Sequence, residues 1–239
     1  MYEWLDIKNK DSVGEIMIYG EITDEKWFDE DVTPMDIKNK IKSLENVDEI
    51  NMYINSPGGG VFAGLAIYNM LKRFSSKITA YVDGVAASIA SVILLAADKK
   101  IIPENAHVMI HNPMGIAMGD ADEMRKTARL LDGAKKSILS IYKSATTLTD
   151  KKLSQMMNDE TWMLGQEAFD LGFADEVEAN KTIEAKIQGD FAIINGQKVD
   201  IRNFRKFPKD RIEQKQKDEE AIKAMEDRFN SFKSRFSAL

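Results

Sequence analysis

Cysteine is absent from the 239-residue chain, and histidine occurs only twice, as His107 and His111. The first absence excludes disulfides, thiol nucleophiles and thiolate metal sites together. The second argues against a metal site built from several imidazoles, and it leaves two residues for any acid–base chemistry that histidine performs. An excess of positive charge is missing as well. The 33 Lys+Arg against 39 Asp+Glu give a net charge of −6, which disfavours a nucleic-acid partner held by phosphate neutralisation. Long apolar runs are also lacking. The longest, Val85–Ala97, is interrupted by Ser88 and Ser91 and is too short to span a bilayer. The start, MYEWLD, carries neither the basic region nor the apolar stretch of a secretory signal. A cytoplasmic protein without a membrane partner is therefore expected. The length suits one domain with its own core plus an appendage.

What is present reads as alternating strands and helices. Glu15–Ile22 alternates apolar and polar residues, a strand pattern. Thr33-Pro34 with Asp36 predicts a capped helix start, after which Ile37, Ile41 and Leu44 share one face. Ile50–Asn55 reads as a strand broken by Ser56-Pro57-Gly58-Gly59-Gly60, followed by a helix over Val61–Phe74. Ile78–Val82 reads as a strand, Asp83-Gly84 as a turn, and Ala86–Ala97 as a small-residue helix. His107–His111 is a short strand ended by Asn112-Pro113. Asp120–Ala145 is a long amphipathic helix, with short helices at Leu153–Met157 and Gln166–Leu171. The β-α-β-α-β-α order argues an α/β fold with short parallel strand layers. Beyond Val177, Asn195-Gly196 signals a hairpin turn within Thr182–Ile201. From Arg205 onward 17 of 35 residues are charged, and Ile222, Met225, Phe229, Phe232 and Phe236 form an apolar helical stripe. Such a stripe suits packing on its own domain or pairing with another chain.

Four places could carry chemistry. The glycines of Asn55–Gly60 could present backbone N–H groups to an anion, or could simply make a tight turn. Neither a P-loop nor a dinucleotide fingerprint fits them, because no Gly-Lys-Ser/Thr follows and the glycines are contiguous. Ser88 stands at a predicted helix start walled by alanines. There its hydroxyl could be a nucleophile beside a favourable helix dipole, or a cap. Ser91, one turn on, suits packing or back-bonding. His107 and His111, four apart on a strand, would face one side, with His111 at the strand end where it could enter a cleft and His107 suited to a structural place. Asp159 and Glu160 before Trp162 could orient a histidine or could be a solvated acidic pair.

The run INSPGGGVFAGLAIYNML, then GVAASIAS, VMIHNP and ETWMLGQEAFDLGFADEV, taken together, resembles the proteolytic subunit of Clp-type serine proteases. The likeness extends from about Glu15 to Val177. It implies the Clp-protease/crotonase-like superhelix of repeated β-β-α units with a long protruding handle helix at Asp120–Ala145. A protease domain would then occupy residues 1–179, and a charged extension with a hairpin and an amphipathic helix residues 180–239. Carried over motif by motif, Ser88 matches the family's nucleophile and His111 its general base. An ungapped reading puts Glu160 at the position of the family's aspartate, with Asp159 as the competitor. The backbone N–H groups of Gly59 and Ile89 match the family's oxyanion hole.

The implied reaction is endopeptidase acyl transfer, with no metal or organic cofactor, by a homo-oligomeric ring, single or stacked double. The start MYEWLDIKNKDSVGEIMIYGEI stands where housekeeping members carry a pro-segment and axial-loop sequence, so the resemblance does not extend to docking on an unfoldase ATPase. That start and the charged tail look like the Clp-like proteases of phage and prophage head gene clusters, which implies scaffold or capsid proteins as substrates. The main alternative is a housekeeping-type Clp proteolytic subunit working with an ATPase. Three further readings are an inactive assembly protein, a crotonase-like acyl-CoA enzyme on the same fold, and a Ser-Lys peptidase. The first two make no use of a serine and histidine set in these motifs, and the third would need a lysine where His111 stands.

Overall fold

A computed structural model of the chain describes residues 13–44, 46–179, 185–210 and 212. The helical stripe from Ile222 to Phe236 lies outside the described residues. The chain separates into two compact units, Met1–Ile183 and Glu184–Leu239.

In the first unit, β1 (Val13–Ile22), β2 (Glu49–Gly59), β3 (Lys77–Ala87) and β4 (Lys99–Pro103) run parallel in that order. β5 (His107–Ile110) pairs in parallel with the far end of β3, and β6 (Thr161–Leu164) pairs antiparallel with β5. The short β7 (Glu176–Glu178) closes the edge beside β4. Strict alternation builds one dry face of this sheet. Ile16 and Ile18, Ile50, Met52 and Ile54, and Ala80 and Val82 are all essentially buried. α3 (Ile89–Leu94) packs on β2 and β3, with α2 (Val61–Lys72) against α3 and α1 (Pro34–Ser43) against α2. α1 starts where the sequence predicts. Thr33 Oγ1 accepts from the Asp36 N–H at 3.2 Å, and the Asp36 carboxylate accepts from the Thr33 N–H at 3.1 Å.

Two expectations are corrected. Ser56-Pro57-Gly58 does not break β2, and Asp83-Gly84 is not a turn ending β3; both strands run on, to Gly59 and Ala87. The register explains how. Ile54 is opposite Val82, but Ser56 is opposite Ala86, so the Asp83–Val85 stretch bulges out of the ladder. The buried Asn55 side chain accepts from the Val85 N–H at 3.3 Å and Tyr19 donates to Asp83 at 2.6 Å, which holds the bulge. Past it, β3 leaves β4 and takes β5 as its neighbour. The expected helix over Ala86–Ala97 consequently shortens to α3, because Ala86 and Ala87 are still strand.

The remaining helices are α4 (Ala121–Ala145), N-capped by Asp120, then α5 (Asp150–Asp159) and α6 (Gly165–Asp170). Among the described residues no helix is long and apolar enough to cross a membrane. The second unit shows a three-stranded antiparallel sheet, β8 (Ala185–Gln188), β9 (Phe191–Ile194) and β10 (Gln197–Asp200). Asn195-Gly196 joins β9 to β10 with both residues at positive φ, 46° and 82°, the geometry a two-residue hairpin turn demands.

Candidate active site

The bulge in β3 delivers Ala87 alongside Met109 of β5, and Ser88 follows with its N–H donating to the Met109 carbonyl at 2.9 Å. Ser88 has φ 54° and ψ −125°, a region costly for any residue with a Cβ. It precedes α3 in the N-cap position, yet its hydroxyl makes no capping bond. The side chain is therefore available for another partner. That partner is His111, the first residue past β5, whose Nε2 lies 2.8 Å from Ser88 Oγ. His111 is 92% buried, with 8% exposure. Two parallel strands thus end side by side and place a serine and a histidine at their carboxyl ends, where α/β sheets commonly carry their sites.

The antiparallel β5–β6 ladder, which the sequence reading missed, brings Glu160 to the same end of the sheet as His111. Ile110 is opposite Thr161, the last pair of the ladder, with His111 following the one and Glu160 preceding the other. Glu160 ends α5 in a left-handed conformation, φ 53° and ψ 78°, and is 2% exposed. Trp162, two residues on and on the same face, donates its Nε1–H to Glu160 Oε1 at 3.3 Å. The Asn112 N–H donates to the Met157 carbonyl at 3.1 Å, and its side-chain amide to Asn158 at 2.9 Å. These bonds tie the residue after the histidine to the helix that carries the carboxylate. Asp159 lies elsewhere. It is exposed and accepts from Gln155 Nε2 at 2.9 Å, a helix-surface pair one turn apart. His107 sits at the far end of β5 opposite Leu164, with its ring edge-on to Trp162 at 6.2 Å between centroids. The structure does not bring it to Ser88.

The glycine run forms the wall beside the serine. A Cβ placed on Gly58, which has φ +94°, would lie 2.7 Å from Ser88 Cβ and from the Ala87 carbonyl oxygen, and 3.2 Å from the Ile89 nitrogen. Gly59, at φ +142°, is pressed on Ile22, whose carbonyl oxygen would meet a Cβ at 2.2 Å. Ser56, buried, pins the run. Its hydroxyl donates to the Gly20 carbonyl at 2.6 Å and accepts from the Gly58 N–H at 3.1 Å. Sequence reasoning singled out Gly59 and left Gly58 and Ser56 without separate roles; their contacts depend on the three-strand register, which no local signal reveals. Ile89, the other candidate amide, is the first residue of α3 and is itself buried. Among the described residues no group of three or more metal-ligating side chains converges.

Gly58→Ala is expected to destabilise the fold by about 1–3 kcal/mol, from the positive φ and the backbone contact. It should also slow acylation of Ser88 at least about tenfold, because the intruding methyl displaces the reacting group. Chemical denaturation and labelling kinetics on the same preparation check both effects.

Comparison with known proteins identifies the family and the fold. The family model described as Clp protease matches residues 8–181. The ATP-dependent Clp protease proteolytic subunit of Bacteroides fragilis is 37% identical over 153 residues, covering 62% of this chain and 74% of that protein. That of Bacteroides thetaiotaomicron is 34% identical over 178 residues, covering 72% and 78%. Among solved structures, a ClpP1 variant from Listeria monocytogenes superimposes with a TM-score of 0.61 at 28% identity, over 70% of this chain and 92% of that one. With the family match running from before β1 to beyond β7, and a solved relative sharing the mostly parallel sheet and its helices, the chain belongs to the Clp protease family.

Proposed function

We propose that the chain is a serine endopeptidase in which Ser88 is the nucleophile, His111 the general base and Glu160 the acid that holds the imidazole, with the amides of Gly59 and Ile89 as the oxyanion hole. The observation that carries this reading is the 2.8 Å approach of His111 Nε2 to a serine hydroxyl that makes no capping bond. His111 takes the Ser88 proton as Oγ attacks a peptide carbonyl, then returns it to the leaving amine. The carboxylate accepts from the other ring nitrogen, which keeps the lone pair of Nε2 aimed at Oγ. The two amides face the oxygen on which charge develops, each worth about 3–4 kcal/mol in such sites. Water then releases the acyl group by the same steps in reverse. Treatment with a fluorophosphonate followed by peptide mapping tests the assignment: a single adduct on the peptide bearing Ser88 is expected, and an adduct elsewhere overturns it.

An assembled ring supports this chemistry best. In the single chain, Ile116 and Met118 are 99% and 93% exposed, and Leu130 on α4 is 55% exposed. Uncovered apolar side chains of this kind mark an association surface. Light scattering is expected to give a mass several times 27.0 kDa, and a monomer at all concentrations would contradict it.

The substrates are proteins, and two settings compete. Head-maturation processing of scaffold or capsid proteins rests on the unusual start and charged tail of the sequence. The relatives above, named as ATP-dependent subunits, favour delivery by an ATPase. Cleavage of folded scaffold protein without nucleotide supports the first, and hydrolysis confined to short peptides until an ATPase is added supports the second.

A further inference from the structure

One helical turn beyond Ser88 lies a buried polar chain that the mechanism above leaves unused. Ser91, fully buried, donates its hydroxyl proton to the Ser88 carbonyl at 2.6 Å, and its N–H reaches the same oxygen at 3.1 Å. Tyr142 of α4, 1% exposed, places its hydroxyl 2.8 Å from Ser91 Oγ. A serine hydroxyl has one proton. Since Ser91 commits it to the Ser88 carbonyl, Tyr142 is the donor in the second bond. Burial pushes the Tyr142 hydroxyl far above its ordinary range, against a smaller opposing effect of the Ser91 bond, so it stays a protonated donor at any working pH. The ring is fixed independently, edge-on to Phe173 with centroids 5.5 Å apart.

A serine that back-bonds to the carbonyl three residues earlier is ordinary and needs no tyrosine behind it. The carbonyl it meets here is what matters. The Ser88 C=O and the Ile89 N–H belong to one planar peptide unit and point in opposite directions. Whatever aims the carbonyl aims the amide. Ser88 also sits in a costly conformation, φ 54° and ψ −125°, which the surroundings must hold in place. We infer that Tyr142, acting through Ser91, is a positioning residue that fixes the Ser88–Ile89 peptide plane and thereby aims the Ile89 amide at the oxyanion. The inference rests on the reading of Ser88 as nucleophile and Ile89 as an oxyanion donor. It also connects the long helix α4 to the reacting centre through Ser91, 51 residues from Tyr142 along the chain.

An oxyanion contact is made in the transition state and not with bound substrate, so its misalignment lowers kcat and leaves KM in place. Tyr142→Phe keeps the ring and its contact with Phe173 and removes only the hydroxyl. With a peptide substrate, kcat is expected to fall about tenfold, less than the 10²–10³-fold of removing an oxyanion donor outright, with KM within about twofold. Ser91→Ala should lower kcat by at least as much, and the double variant no further than Ser91→Ala alone, because the two side chains act in series. The fraction of chains that a fluorophosphonate finally labels should match that of the unaltered protein, since this counts folded sites while the rate constant reports their alignment. A kcat for Tyr142→Phe within twofold of the unaltered protein would overturn the inference. So would a reduced labelled fraction with an unchanged rate per labelled site, which makes Tyr142 a packing residue only. If the unaltered protein is labelled at a residue other than Ser88, the reading beneath the inference fails first, and the two failures are told apart by that one map.

Discussion

Ser88→Ala is expected to abolish fluorophosphonate labelling and to reduce peptide hydrolysis by about 10⁴–10⁶-fold, the range seen when the nucleophile of a serine–histidine pair is removed. His111→Ala should cost nearly as much, and the double variant little more than either single one. Serine and histidine perform a single proton transfer, and deleting half of it already deletes the step. Stability should move the other way in a companion variant. Ser88 holds φ 54° and ψ −125°, a conformation that costs about 1–3 kcal/mol for a residue with a Cβ. Ser88→Gly removes that cost and adds up to about 1 kcal/mol of freedom to the unfolded chain. It should therefore be inactive yet as stable as the unaltered protein or more so, by up to about 2 kcal/mol. Ser88→Ala keeps the Cβ and gains none of this relief. Urea denaturation of the three proteins checks the order. Residual labelling of Ser88→Ala at the unaltered rate would remove Ser88 from the mechanism.

Elements whose cause is local were legible in the sequence. The alternation of Ile16 and Ile18, the Thr33–Asp36 capping box and the Asn195-Gly196 turn each depend on a few adjacent residues, and each appears where expected. Features that depend on distant partners were not. Ser56-Pro57-Gly58 and Asp83-Gly84 have turn composition, but pairing with β1 and the Asn55–Val85 bond hold both stretches in strands. β6 has only four residues, and it pairs with β5, more than fifty residues earlier. The site followed the same division. Ser88 could have been a cap and His111 a structural residue on local grounds, and only the combined resemblance paired them. The proposal's choice of Glu160 over Asp159 rests on the β5–β6 register and on burial, neither of which is written in the pair Asp159-Glu160 itself.

Glu160→Gln is expected to lower kcat by about 10²–10⁴-fold, while Asp159→Asn stays within about twofold of the unaltered protein. Amidation preserves the size of the Glu160 side chain and its capacity to accept from Trp162 Nε1, so packing is kept and the charge alone is lost. In the proposed role the Glu160 carboxylate accepts a hydrogen bond from the N–H of the other ring nitrogen of His111 and stabilises the imidazolium formed during attack. A carboxamide can instead donate to that nitrogen, which selects the other tautomer and leaves Nε2 protonated toward Ser88, unable to act as a base. The comparable change in a well-studied triad costs about 10⁴-fold. Here the carboxylate reaches from a left-handed residue at the end of α5, on a side chain one methylene longer than aspartate, so the lower part of the range applies if that reach already weakens its hold. Asp159 is exposed and accepts from Gln155; removing a surface charge of that kind changes little. Folding does not confuse the result, because neutralising a buried carboxylate relieves its desolvation, and the melting temperature of Glu160→Gln should hold steady while its rate collapses. The reverse pattern, an active Glu160→Gln beside an inactive Asp159→Asn, would move the third member of the triad to Asp159 and would require α5 to unwind by one residue during catalysis.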